Sequence, residues 1–275
     1  MSVFEVLLPA FVAGLILTGM LAYLGVHVVE RGVIFVDLAL AQIAALGTTI
    51  GILFGYDMHS RMGYVFSLGS AFIGAAVFAF SRVHRATRIP QEAIIGIAYA
   101  VAAATSILAM SKATGETEHL KEMLVGNILS VSWPELARTA GLFALVGVFH
   151  FLLRKRFLLI SMNEAEAQRH AVSIRLWDFL FYASFGFIVT SSVAIAGVLL
   201  VFSYLIVPAV SAMLFSQRLG VRLAIGWSMG AVTSAIGVYL SYLWDLPTGA
   251  TIVATLGAGL LILSGVRLLT RRAAA

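Results

Sequence analysis

Long apolar runs separated by short polar segments dominate this chain. Since about 20 helical residues cross a bilayer, each run is a candidate membrane span. The sixth and seventh runs share one almost continuous stretch, in which Ser191, Ser192 and Gly197 indicate a turn. The pattern predicts an all-α polytopic membrane protein with about nine spans, at about residues 6–29, 32–54, 63–81, 91–110, 137–153, 178–193, 198–216, 223–243 and 248–269.

Eight spans are the alternative. Residues 119–136 are apolar enough to form a short helix that lies against the bundle or re-enters it. No repeat, low-complexity segment or linker divides the chain. We therefore expect a single transmembrane domain over residues 1–275, with one longer polar loop at about 154–178.

Composition supports a membrane protein, because 61% of the residues are hydrophobic and only 11% are charged. The net charge of +5 does not indicate nucleic-acid binding, since the basic residues cluster in short loops between apolar runs. The chain has no cysteine, which excludes disulfides, thiolate metal ligands and thiol catalysis.

The distribution of Lys and Arg predicts the orientation. With the N-terminus outside, the inner side receives 14 of the 18 basic residues. Cytoplasmic loops are enriched in Lys and Arg, so we expect the N-terminus outside and the C-terminus in the cytoplasm. The four remaining basic residues then lie outside, at Arg61, Lys112, Lys121 and Arg138.

Motifs for hydrolytic chemistry are absent from the sequence. It contains no GxxxxGK[ST] phosphate loop and no HExxH. The run GWSMG at 226–230 lies inside a predicted span, where such small residues let helix backbones approach closely. Among the carboxylates only Asp37 lies clearly inside a predicted span, whereas an intramembrane enzyme needs paired catalytic groups. These features favour a channel or transporter that is not itself an enzyme.

Asp37 and Gln42 are the polar residues of the second span, where an ionisable group costs about 2.5–3.5 kcal/mol. Counting from Gly32 at 1.5 Å per residue, they lie about 8 Å and about 15 Å into the membrane. On a regular helix they are about 140° apart, too far to share a small ion. We expect Asp37 to line a transport pathway rather than to form a structural ion pair with Arg31 or with an arginine of the inner loops. For Gln42, pathway lining and helix packing stay equally open.

Glu92 follows Pro90 at the expected start of the fourth span. A carboxylate there complements the helix dipole, and this role is preferred over metal binding, although a pathway role is retained as the alternative. Asp178 has the same kind of position on the sixth span. His59 and His119 lie in predicted outer loops and do not make a site.

The loop at 154–178 contains a predicted short helix. Asn163 can cap its N-terminus, and the following turn holds Glu164 and Glu166, which are favourable at that end. Taken by itself, this segment is better explained as a solvated connector than as a functional element.

Several stretches together resemble the permeases of ABC importers for zinc, manganese and iron ions, in the family's order. The GVLLVFSYLIVPA and DLPTGATIV segments are the most specific. The matching stretches are ALAQIAALG (39–47), QEAIIGIAYA (91–100), LVGNILSVS (124–132), NEAEAQRHAVSIRLWD (163–178), AIAGVLLVFSYLIVPAVSAML (194–214) and IGVYLSYLWDLPTGATIV (236–253).

The resemblance implies a type II ABC importer-like permease in the inner membrane of a prokaryote. It implies a homodimer of this chain, two cytoplasmic ATPase subunits that bind ATP, and an extracytoplasmic metal-binding protein, with no permanently bound cofactor. Residues 163–173 would dock on the ATPase. Asn163, Glu164, Ala167 and Ala171 belong to this segment, with Asn163 and Ala171 replacing the aspartate and glycine usual in the family.

The family typically has an aspartate four residues before a histidine in the second span. Here Leu38 and Gln42 occupy those two positions, and Asp37 is displaced by one residue. The implied function is import of a divalent transition-metal ion by alternating access, with Asp37 as the candidate metal contact. The alternatives are a different cargo of an ABC permease, or a stand-alone secondary transporter.

Overall fold

The computed structural model describes residues 3–57, 60–81, 90–111, 128–170 and 172–273. Ten α-helices and one 3₁₀ turn account for most of them, and no strand is present in these ranges. The helices are α1 (Val3–Arg31), α2 (Val36–Leu53), α3 (Arg61–Ser81), α4 (Gln91–Met110), α5 (Trp133–Leu152), α6 (Arg154–Met162), α7 (Glu164–Arg169), α8 (Ile174–Met213), α9 (Leu219–Trp244) and α10 (Thr248–Ala273).

Eight of the described helices are long and apolar enough to cross a membrane, which confirms a polytopic α-helical membrane protein. This count takes α8 as one helix, although 40 residues measure about 60 Å, twice the hydrocarbon core. Gly197 interrupts α8 with φ 73° and ψ 162°, a conformation that favours glycine. The predicted interruption is therefore present, and dividing α8 there restores nine segments.

The start of α2 differs from the prediction. The second apolar run begins at residue 32, but the helix begins at Val36. Gly32 has a φ of 67°, which ends α1 at Arg31, and Phe35 is the residue that precedes the first turn of α2. Asp37 therefore lies in the first turn of the helix rather than about 8 Å along it.

The helix α5 also starts earlier than predicted, at Trp133. The backbone N–H and hydroxyl of Ser132 donate to Glu135 Oε2 at 2.8 Å and 2.7 Å, which closes the N-terminal end of the helix. A 3₁₀ turn, Ile128–Ser130, precedes it. The remainder of the predicted short helix, residues 119–127, lies outside the described residues, as do His59 and His119.

By their internal contacts the described residues group into two compact units. One unit draws on residues 30–123 and 145–193, and the other on residues 1–29, 124–144 and 194–275. Single-domain organisation over the whole chain stays a prediction.

In the first of these units, α2 packs closely on α3. A Cβ on Gly47 would overlap a backbone oxygen of α3, and a Cβ on Gly74 would lie 2.8 Å from Ile43. Ser67 in α3 also donates to the carbonyl of Ala44 at 3.0 Å. Small residues thus bring the two helices close enough for van der Waals packing and hydrogen bonding, as is usual in lipid.

An aromatic cluster in the same unit packs α5, α6 and α8 together. The rings of His150 and Phe157 are stacked with centroids 4.5 Å apart, and the rings of Trp177 and Phe181 pack against Phe157 edge-on at 5.5 Å and 6.0 Å. His150 Nε2 lies 2.8 Å from the hydroxyl of Ser184. The short helix α6 is thereby held on the membrane helices.

In the second unit, glycines of α9 lie where neighbouring helices come closest. Gly226 faces the backbone of Pro208 in α8, Gly230 faces Thr18 in α1, and a Cβ on Gly237 would lie 2.7 Å from Ile252 Cα in α10. The small residues of α9 thus allow neighbouring helices to approach closely, as is usual in lipid.

Candidate functional site

Asp37 is buried at the N-terminal end of α2, with 1% of its surface exposed. Its carboxylate interacts with the backbone N–H groups of Asp37 and Leu38 in the first turn. This position is favourable for a negative charge, because the free N–H groups carry partial positive charge. Its Oδ1 atom is buried and has no hydrogen-bond partner among the described residues.

Glu92 reaches the same end of α2 from the first turn of α4. Its Oε1 atom accepts a hydrogen bond from the backbone N–H of Phe35 at 3.1 Å. The predicted position in the first turn of the fourth helix is confirmed. The carboxylate, however, caps the neighbouring helix α2, which no pattern in the sequence indicates.

Gln42 lies in the middle of α2 and is 9% exposed. Because α2 is regular between Val36 and Leu53, Gln42 and Asp37 point about 140° apart around its axis. Leu40, Ile43 and Gly47 mark the side of α2 that contacts α3, so Gln42 lies on the opposite side. The structure does not bring Gln42 and Asp37 together.

A tight chelate is not formed by the described part of the chain. In those ranges no three His, Asp or Glu side chains converge closely enough to hold a metal ion. Instead, a pair of carboxylates, Asp37 and Glu92, lies at the N-terminal end of α2, where Glu92 accepts from the backbone N–H of Phe35. Such a pair could bind a cation through oxygen atoms only if water or further groups complete the coordination.

Arg31 bonds with Asp178 and Ser161 rather than with Asp37. Its Nη1 atom donates to Asp178 Oδ1 at 2.7 Å, and its Nε atom donates to Ser161 Oγ at 2.8 Å. The guanidinium also lies over the ring of Phe181, 4.0 Å from its centroid. These contacts connect the end of α1, the end of α6 and the start of α8.

The prediction that Asp178 caps its helix is wrong. α8 begins at Ile174, so Asp178 lies beyond the first turn. Its side chain is completely buried in an ion pair with Arg31. Sequence reasoning missed this pair because the two residues are 147 positions apart, and a basic residue at the end of a span is ordinary.

The predicted cap in the loop at 154–178 is confirmed. Asn163 Oδ1 accepts from the backbone N–H of Glu166 at 3.2 Å, and Asn163 Nδ2 donates to Glu166 Oε2 at 2.7 Å. This cap starts the six-residue helix α7. Within this helix, Gln168 Nε2 donates to Glu164 Oε1, one turn earlier, at 3.3 Å.

Ala167 and Ala171 are two of the residues predicted to dock on the ATPase. Ala167 is fully buried, so its side chain seats α7 against the rest of the chain and is not available to an outside partner. Ala171 lies outside the described residues. The exposed side of α7 is formed by Ala165, Glu166, Gln168 and Arg169.

The apolar helices and the buried carboxylate of Asp37 define a class of protein, the polytopic α-helical membrane proteins with ionisable groups inside their helix bundle. A sequence profile described as "ABC 3 transport family" matches residues 3–267. The chain therefore belongs to the ABC 3 transport family.

Two curated relatives illustrate the family. The "Manganese transport system membrane protein MntC" of Listeria innocua is 28% identical over 232 residues, covering 82% of this chain and 81% of that protein. The "Chelated iron transport system membrane protein YfeC" of Yersinia pestis is 28% identical over 193 residues, covering 70% of this chain and 65% of that protein.

A solved structure supports the fold. It is titled "PsaBC from Streptococcus pneumoniae in complex with Fab", and the match has a TM-score of 0.77. The match covers 95% of this chain and 91% of that chain, at 23% identity. At this level of identity the similarity concerns the fold.

Proposed function

We propose that this chain is the membrane-spanning permease subunit of an ATP-driven importer for a divalent transition-metal ion. Family membership supports a transport role, and the names of the relatives point to manganese and iron as cargo. The observation in the structure that carries the proposal is Asp37, a carboxylate buried at the start of a membrane helix. Buried ionisable groups in membrane helices commonly mark ion pathways.

The permease works with partners. Two copies of the chain form the pathway, two cytoplasmic ATPase subunits supply the energy, and an extracytoplasmic protein delivers the ion. The lack of a phosphate loop in the sequence fits this division, since ATP binds on another subunit. In the prokaryotic inner membrane the N-terminus is outside and the C-terminus is in the cytoplasm, as the basic residues favour.

The cargo is an ion that accepts oxygen ligands. Gln42 offers a neutral amide oxygen where the resembling permeases have a histidine. Carboxylate and carbonyl oxygens suit manganese, whereas imidazole suits zinc. We therefore infer that manganese or ferrous iron is preferred to zinc, with Asp37, Gln42 and Glu92 along the pathway.

The test is metal uptake into vesicles that contain the chain together with its ATPase and binding protein. ATP-dependent uptake of manganese or ferrous iron, in preference to zinc, is the expected result. Asp37→Asn keeps the side-chain shape and removes the charge, so it lowers uptake strongly while the amount of folded protein is unchanged. Gln42→His supplies a nitrogen ligand and shifts the preference towards zinc.

Two results contradict the proposal. Uptake by the chain alone, driven by an ion gradient, would identify a secondary transporter. ATP-dependent transport of another compound without any metal uptake would retain the permease and reject the cargo. If both variants keep the wild-type rate and preference, Asp37 and Gln42 only pack helices.

A further inference from the structure

Two carboxylates from different helices meet at the N-terminal end of α2. Glu92 accepts a hydrogen bond from the backbone of Phe35, and Asp37 follows Phe35 by two residues. The helices α2 and α4, which carry the two carboxylates, pack along each other. Both groups are thus brought to one place by tertiary packing.

Each carboxylate interacts with backbone N–H groups and also has one oxygen atom without a hydrogen-bond partner in the described ranges. Glu92 Oε1 is bonded to the N–H of Phe35, and the Asp37 carboxylate interacts with the amides of its own first turn. Asp37 Oδ1 and Glu92 Oε2 are both buried and find no hydrogen-bond partner in the described ranges. Two negatively polarised oxygen atoms are therefore left for another group.

The energetics require a positive charge or a proton at this place. Burying an unpaired carboxylate is strongly unfavourable, and two like charges near each other add repulsion. The N-terminal end of a helix contributes only about half of one positive charge, which does not balance two carboxylates. Arg31, the basic residue at the end of the preceding helix, is directed to Asp178 and Ser161.

We propose that Asp37 and Glu92 together form a binding station for a divalent cation, with Asp37 Oδ1 and Glu92 Oε2 as its protein ligands. The inference rests on the proposed function, because the ion that occupies the station is the one that the permease transports. Gln42 is not part of it, since it lies on another side of α2.

The two proposed ligands determine which metal ion the site prefers and how tightly it binds. Two carboxylate oxygens without a nitrogen ligand suit Mn²⁺ better than Zn²⁺. Since no third acidic or histidine side chain joins them in the described part of the chain, the ion retains water in its coordination. Binding is then weak enough for the ion to leave, which a transport pathway requires.

The experiment measures Mn²⁺ binding to the purified full-length chain in lipid nanodiscs, without ATPase or binding protein. Electron paramagnetic resonance reports free Mn²⁺, so it yields the affinity directly. We expect Asp37→Asn and Glu92→Gln each to weaken binding by about tenfold or more. The double variant should be little worse than the more damaging single variant, because both residues hold one ion.

Control variants separate binding from folding. Glu5→Gln removes an exposed carboxylate in α1 and should leave Mn²⁺ affinity unchanged. Asp37→Glu keeps a carboxylate and should retain more affinity than Asp37→Asn. If wild-type affinity survives in both Asp37→Asn and Glu92→Gln, the station is rejected.

A proton or an arginine could neutralise the two carboxylates in place of a metal ion, and the experiment distinguishes both from Mn²⁺. If the wild-type chain binds no Mn²⁺ and the carboxylates hold a proton, infrared spectra will show a protonated carboxyl band that Asp37→Asn or Glu92→Gln removes. If Mn²⁺ binds only after replacement of Arg82, Arg85 and Arg88, an arginine is the partner. Either result overturns the proposal.

The outcome is separable from that of the proposed function. ATP-dependent metal uptake without Mn²⁺ binding at these carboxylates would reject the station and leave the importer intact. Carboxylate-dependent Mn²⁺ binding without ATP-dependent uptake would retain a cation site and reject the importer.

Discussion

Arg31 and Asp178 form an ion pair that is almost completely shielded from solvent, with Nη1 and Oδ1 2.7 Å apart. The same guanidinium holds Ser161, which lies two residues before the cap of α7. The end of the first membrane helix and the segment that leads into α7 are therefore joined by one side chain. Only residues 32–35 separate Arg31 from the start of α2, so the ion pair lies next to the connection between the first two membrane helices.

Removing one member of this pair should destabilise the protein. Arg31→Met leaves the Asp178 carboxylate buried without its partner, and loss of one member of a buried pair costs about 3–5 kcal/mol. The double variant Arg31→Met with Asp178→Leu should be more stable than either single variant, because no charge is left unpaired. Thermal unfolding in detergent measures this, and strictly additive effects of the two changes would contradict it.

The orientation can be tested with single cysteines, since the chain has none of its own. We expect a membrane-impermeant thiol reagent to label Ser60→Cys and Gly115→Cys in intact cells, because these loops are outside when the basic residues are inside. Asn163→Cys should be labelled only after permeabilisation. The reverse pattern of labelling would contradict the predicted orientation.

The helix α7 offers a matched pair of substitutions for ATPase docking. Ala165 is exposed and Ala167 is fully buried. Ala165→Trp should lower ATPase binding and the ratio of transport to ATP hydrolysis, while folding is unchanged, because it alters only the outer side of α7. Normal transport by Ala165→Trp with the ATPase present would mean that α7 is a connector.

Ala167→Trp acts differently and serves as the contrast. A large ring at a fully buried position forces displacement of neighbouring groups, which typically costs about 1–3 kcal/mol. We expect a lower unfolding temperature for this variant than for Ala165→Trp. Equal unfolding temperatures would contradict the burial of Ala167 against the chain.

Close packing of α1 can be tested at two glycines of the same helix. A Cβ on Gly25 would overlap the backbone of Leu205, whereas a Cβ on Gly19 meets nothing within 4 Å. Gly25→Ala should therefore destabilise the protein by about 1–3 kcal/mol, and Gly19→Ala should be nearly neutral. Thermal unfolding of the two variants side by side decides, and a neutral Gly25→Ala would contradict the packing.

The apolar pattern by itself determined the membrane helices, because spanning a bilayer imposes a length and a composition that each segment must meet independently. The break at Gly197 and the cap at Asn163 were equally predictable, since both depend on local backbone geometry. Boundaries were less accurate where a residue inside the apolar run leaves the helical conformation, as Gly32 does before α2.

The pairing of polar groups follows from the packing of the helices and cannot be derived from the sequence pattern. Asp37 was recognisable as an unusual residue, but its neighbour Glu92 lies 55 positions later in the chain, and Arg31 bonds with Asp178 instead of with Asp37. Likewise, nothing in the sequence distinguishes exposed Ala165 from buried Ala167. Hydrophobic patterns specify that a segment is a membrane helix, whereas the partners of a side chain depend on how several such helices pack, and that is a property of the whole chain.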